Sequence, residues 1–146
     1  MKTLEFKTTI AAPVSLVWET MLSPDTYRQW TSVFEEGSYY EGTWEKGSKI
    51  YFLNPTGAGM VAKVAENKLH ELISILMLGF VAQGIEDTES EDAKAWAPAF
   101  ENYYFKSTDE GTDLRVTIEV LPEHEDMMTQ PWLRALELLK SMCEGR

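Results

Sequence analysis

The sequence predicts an α+β fold: a curved antiparallel sheet of about seven strands around a long C-terminal helix, with two short helices after strand one. Three observations predict it. Stretches of alternating apolar and polar residues recur between residues 3 and 121 and are joined by short turns, which pairs neighbouring strands antiparallel. Beyond Pro122, the residues Trp132, Leu136, Leu139 and Cys143 fall at i, i+4, i+7 and i+11 and draw one apolar stripe along a helix. That helix is also the one element long and amphipathic enough to cover the apolar face of such a sheet.

Residues 3–11 alternate Leu4, Phe6, Thr8 and Ile10 against Glu5, Lys7 and Thr9, the pattern of a strand with one buried face. Pro13 stands where a first helical residue belongs, and Val14, Val17, Trp18 and Met21 repeat at helical spacing until Ser23-Pro24 interrupts them. Pro24 then opens a second short helix, with Ser23 as its cap and Asp25 in its first turn, and sets Tyr27 and Trp30 on one face. Strands follow in pairs: 39–44 and 49–53 about Glu45-Lys46-Gly47, 60–65 and 69–80 about Glu66-Asn67-Lys68, and 99–106 and 113–121 about a turn ending in Gly111-Thr112. The connection 83–98 is acidic, and its Ala95-Trp96-Ala97-Pro98 reads as a short helical turn or lid. Proline is at home in the first turn of a helix, so Pro131 places the start of the regular C-terminal helix near Thr129. No repeat, low-complexity tract or linker interrupts residues 1–146, which are expected to form a single domain.

Turning charged residues outward points Phe6, Ile50, Val64, Val116 and Ile118 inward, together with aromatic and thioether residues of the middle strands, opposite Trp132, Leu136 and Leu139. The strand 69–80 resists this division. Both of its faces are apolar after Glu71, which calls for a cover on the outer side, and a second copy of the chain in a homodimer is one candidate.

Composition excludes several classes of function. Lys and Arg number 13 against 24 Asp and Glu, a net charge of −11, and no basic patch interrupts it; neither a nucleic acid nor an anionic membrane is an expected partner. The densest acidic run, Glu86, Asp87, Glu89, Glu91 and Asp92, lacks the central glycine of a hard-cation loop and reads as solvated. With Cys143 alone there is no disulfide framework, and with His70 and His124 as the two histidines there is no ligand pair for zinc; no metal and no cofactor are expected. Gly57-Ala58-Gly59-Met60-Val61-Ala62 matches a dinucleotide fingerprint in letters, but turn residues precede it and a strand follows, so it reads as a tight connection. Gly42 to Ser48 lacks the lysine of a phosphate loop and reads as a hairpin. The start Met-Lys-Thr-Leu-Glu-Phe is no secretory leader, and a cytoplasmic location is the expectation.

The run from Ile10 through Pro13, Trp18, Pro24 and Tyr27 to Trp30, the pattern Gly42-x-Trp44-x-x-Gly47-Ser48-Lys49-Ile50, and the late Trp132 with Leu136 and Leu139 resemble the START-like, or SRPBCC, superfamily. The likeness is greatest to the branch named for activators of the ninety-kilodalton heat-shock chaperone's ATPase, and it covers essentially the whole chain. It implies the helix-grip fold, with a cavity that holds an apolar ligand in many members and serves ring cyclisation or a partner protein in others. One departure is visible. The family often doubles the tryptophan where this chain has Trp30-Thr31.

The residues expected to wall that cavity are Tyr40, Trp44, Phe52, Met60, Glu101, Tyr103, Phe105, Trp132 and Leu136, and the expected function is non-enzymatic binding of a small hydrophobic or aromatic ligand. Trp18 and Trp30 are read as anchors holding the short helices to the sheet. Glu101 is the one polar residue that strand alternation turns inward, and with His70 it would make the acid–base pair of a polyketide-cyclase-like enzyme. A co-chaperone-like domain that binds a chaperone partner is the other alternative.

Overall fold

In the computed structural model, which describes residues 1–145, the first alternating stretch becomes β1 (Lys2–Ile10), with Leu4, Phe6 and Ile10 buried. Two helices follow, α1 (Val14–Leu22) and α2 (Pro24–Trp30), and a single 3₁₀ turn, Thr31–Val33, prolongs the second. Ser23 occupies the cap position between them, although its hydroxyl caps no amide. The strands are β2 (Tyr39–Gly42), β3 (Lys49–Leu53), β4 (Ala58–Lys68), β5 (Leu72–Ala82), β6 (Ile85–Asp87), β7 (Ala99–Thr108) and β8 (Gly111–Val120). Helix α3 (Glu91–Trp96) precedes β7, and α4 (Glu125–Cys143) closes the chain after a 3₁₀ turn at Pro122–His124.

All strands join one antiparallel sheet in the order β1-β8-β7-β5-β4-β3-β2, with β6 added beside β5. The eighth strand comes from the acidic connection. β7 leaves β5 at Met77–Ala99, and the three residues of β6 take up its free edge from Phe80 onward. A segment as short and charged as Ile85-Glu86-Asp87 carries no periodicity of its own; the vacant edge makes it a strand. The β3–β4 turn spans residues 54–57, where Asn54 Oδ1 accepts from the Thr56 and Ala58 amides and Gly57 takes a φ of 82°, and Ala58-Gly59 already opens β4. β2 is two residues shorter than expected, because Gly42 at φ 118° releases the chain and turns Trp44 toward α1. β5 begins later than expected, because His70 adopts φ 63° in the turn and leaves Leu69 at the surface.

Helix α4 begins at Glu125, four residues before the expected start, and runs through Pro131. The proline forfeits its bond to the Met127 carbonyl, and Met127 is exposed, so water can take that acceptor. The predicted stripe, Trp132, Leu136, Leu139 and Cys143, is buried, and Lys2–Glu125 and Lys140–Thr9 contacts tie the two ends of the helix to β1. The outer face of β5 is partly covered by the chain itself. The Tyr51 hydroxyl and Lys49 ammonium both reach the Glu86 carboxylate, at 2.6 and 3.0 Å, across the face on which Val61 and Val81 are buried. Toward the other end of β5 a Ser74–Asn102–Thr117 hydrogen-bond chain takes over, and Phe100 stays exposed.

Candidate ligand cavity

Between the sheet and α4 lies a chamber of about 470 Å³. Strand alternation supplies its floor: Phe52 on β3 opposite Met60 on β4, Met77 on β5, and Glu101 and Tyr103 two residues apart on β7. Met128 and Trp132 come down from α4, and Tyr27, Trp30 and Phe34 close the end beneath the short helices. The rings touch in a continuous series. Tyr27 lies 5.5 Å from Trp30 and 6.2 Å from Phe52, and Trp132 lies 5.1 Å from Phe34, 6.0 Å from Trp30 and 6.3 Å from Tyr103.

A second chamber, about 810 Å³, adjoins the first where α3 and β6 approach the start of α4. Phe80 and Trp96, stacked at 5.3 Å, line one side, and Ile118, Leu121 and His124 the other. Met60, Met77, Glu101 and Met128 belong to both chambers. The acidic connection therefore forms the outer wall of the second chamber.

Glu101 is enclosed by protein yet keeps a partly accessible surface, because it borders empty volume rather than packed side chains. The Tyr103 hydroxyl donates to its Oε2, and no described residue bonds its Oε1. Burial pushes the carboxyl up to about 7, against the smaller opposing pull of the tyrosine. The same burial, reinforced by the neighbouring carboxylate, holds the Tyr103 and Tyr27 phenols well above their usual range. The indole Nε1–H of Trp132 is buried and has no acceptor among the described residues.

Of the residues read as cavity wall, Phe52, Met60, Glu101, Tyr103 and Trp132 line the first chamber. The other four line neither chamber. Tyr40 and Trp44 both donate to the Leu22 carbonyl, at 2.6 and 3.0 Å, and fasten the corner between α1 and α2. Phe105 packs 5.0 Å from Trp18, and Leu136 is buried in the core. Trp18 thus anchors α1 over β7, whereas Trp30 is anchor and wall at once, donating to the Met21 carbonyl at 3.0 Å while lining the chamber. His70 lies in the β4–β5 turn with its ring edge-on to Trp18 at 5.8 Å and lines neither chamber. It does not meet Glu101, so the acid–base pair of the cyclase alternative does not form.

Tyr27, Met77 and Met128 escaped the sequence reading for separate reasons. Tyr27 carried a signal, its shared face with Trp30, but that face served equally to anchor a helix. Met77 was masked by the two apolar faces of β5, and Met128 precedes Thr129, where the helix was expected to begin. Among the described residues no group of three His, Cys, Asp or Glu side chains is placed to hold a metal ion, and no helix is long and apolar enough to cross a membrane.

The sequence profile of the family described as Activator of Hsp90 ATPase homolog 1-like protein matches residues 11–144. No curated protein sequence matches the chain. Among solved structures, the Aha1 dimer from Colwellia psychrerythraea is similar at a TM-score of 0.74 and 18% identity, over 99% of this chain and 97% of that one. Protein MLL2253 from Mesorhizobium loti gives 0.73 and 14%, over 97% and 96%. Protein CV1439 from Chromobacterium violaceum gives 0.68 and 17%, over 99% of both chains. At such identities the likeness is one of fold.

Proposed function

The chain belongs to the Activator of Hsp90 ATPase homolog 1-like family and has its helix-grip fold, and from that premise we propose that it binds a small hydrophobic or aromatic molecule in the cavity between sheet and C-terminal helix. The observation that carries the reading is a ring-lined chamber of about 470 Å³ whose apolar walls hold two polar groups with unspent bonding capacity, Glu101 Oε1 and Trp132 Nε1. Ligand pockets combine such walls with a few orienting polar groups over roughly 300–1,000 Å³. A buried donor left without an acceptor costs about 1–3 kcal/mol, so a ligand oxygen or a trapped water placed against Trp132 recovers stability. The three methionines common to both chambers give the wall an adaptable surface suited to more than one ligand shape.

The neutral fluorophore N-phenylnaphthylamine tests the reading. Its emission is expected to rise on titration with the protein and to report one saturable site. Met60→Trp, which fills wall shared by the two chambers, is expected to abolish the signal without unfolding the chain; unchanged binding by that variant would place the site elsewhere. Native mass spectrometry of protein from its own host then identifies any retained apolar molecule.

A protein partner is the second reading, favoured by the family's description and by the dimeric Colwellia relative. Light scattering on the purified chain reads self-association directly as twice the monomer mass, and a pull-down with the chaperone ATPase tests the family's named partner.

A further inference from the structure

The walls of the two chambers carry a charge pattern that bears on the ligand. Glu35 lines the first chamber, Asp87, Asp92, Glu119 and Glu123 line the second, and Glu101 lines both. Neither lining contains a lysine or an arginine, and His124 is the one basic side chain in them. The seven ion pairs of the described residues use other carboxylates, Lys2–Glu125, Lys46–Glu66, Lys49–Glu86, Lys94–Glu89 and Arg115–Glu5 among them. None of the six lining carboxylates takes part in an ion pair among the described residues. Asp87 and Glu119 use an oxygen on backbone amides, those of Ser90 and Phe100, and so offset part of their demand. Glu101 has only the Tyr103 hydroxyl.

A second, independent feature of the same space has the same sign. The faces of aromatic rings are electronegative, and a set of rings around one volume attracts ammonium groups, most strongly where water is excluded. Tyr27, Trp30, Phe34, Phe52, Tyr103 and Trp132 line the first chamber, with the Glu101 carboxyl shared between it and the second. An anionic amphiphile meets the opposite situation, with carboxylates and aromatic side chains in the lining and no lysine or arginine there to receive it.

Resting on the cavity reading above, we infer that the cavity selects hydrophobic cations: molecules with an apolar body and an amine or quaternary ammonium group, which is placed against Glu101 between the two chambers. The body occupies the ring-lined first chamber, and the second chamber with its acidic outer wall is the route of entry. Fatty acids and phosphorylated lipids are rejected by the same walls.

Calorimetric titration of the whole chain with decyltrimethylammonium, decanol and decanoate, each below its micelle concentration, tests this with three head groups on one tail. The cation is expected to bind at least about tenfold more tightly than decanol, and decanoate more weakly than decanol. Glu101→Gln keeps the shape and removes the charge; it is expected to erase the difference in affinity between the cation and decanol. If decanol or decanoate binds as tightly as the cation, the cavity reading stands and the inference fails. If the cation is preferred but Glu101→Gln does not alter the preference, the assignment to Glu101 is overturned. If none of the three binds, the cavity reading itself falls and the inference with it.

Discussion

Burial holds the Glu101 carboxyl at about 7 in the folded chain, against its usual 4.5. Between those values the folded state keeps a proton that the unfolded chain releases, so stability falls as pH rises through this window, and the loss is complete above it. At about 1.4 kcal/mol per unit the full effect is on the order of 3 kcal/mol, an upper figure because water entering the cavity solvates the carboxylate. Glu101→Gln is therefore expected to melt higher than the parent near pH 8, by up to about 5–10 °C, with the difference closing toward pH 5. Thermal melts followed by circular dichroism check the sign, and a variant that melts lower at pH 8 would contradict the burial account. The inward direction of Glu101 was legible in the sequence, since strand alternation with Tyr103 and Phe105 required it. Its isolation from His70 was not, because alternation fixes a face and says nothing of which positions on separate strands come level with one another.

At the scale of elements, the corner between α1 and α2 depends on one acceptor with two donors. Either Tyr40 or Trp44 alone satisfies the Leu22 carbonyl, so losing one donor leaves no orphan there. Tyr40→Phe is expected to cost about 0.5–1 kcal/mol, and the double variant with Trp44→Phe more than the sum of the singles. Chemical denaturation around the double-mutant cycle measures that excess; strict additivity would show that the two donors act separately. The β3–β4 hairpin has no such tolerance. A Cβ on Gly59 would lie 1.8 Å from the Phe52 carbonyl oxygen, so Gly59→Ala is expected to lose about 3 kcal/mol or to fail to accumulate as folded protein. Both features had sequence markers, the Gly42-x-Trp44 pattern and the Gly57-x-Gly59 pair, but each marker stated where the chain turns and not what it approaches.

Across the whole molecule, the net charge of −11 is spread over a surface whose described ion pairs are largely exposed, so self-repulsion outweighs pairwise attraction. Raising the salt to about 0.2 M is expected to increase the melting temperature by a few degrees through screening. A decrease on adding salt would mean that the surface pairs, not the net charge, dominate. A ligand that enters the cavity acts on the same scale, since binding to the folded state alone at about a hundredfold its Kd adds about 2.7 kcal/mol. The melting temperature is thus a second readout of cavity binding, independent of any fluorophore.

By itself the sequence determined the antiparallel sheet, the two short helices and the buried stripe of α4, because each rests on a local period that burial of one face imposes. From its composition, ring-rich and acidic without basic patches, comes the expectation that neither nucleic acid nor anionic membrane is a partner. Tertiary structure alone decided which aromatic residues pin helices and which border empty space. Tyr40 and Tyr103 occupy equivalent inward positions on their strands, yet one reaches the Leu22 carbonyl and the other the Glu101 carboxylate. It also made β6 a strand and put the acidic connection against the second chamber. The physical reason is common to these cases: a face is set by neighbours in sequence, whereas a cavity and its wall depend on where distant segments stop filling space.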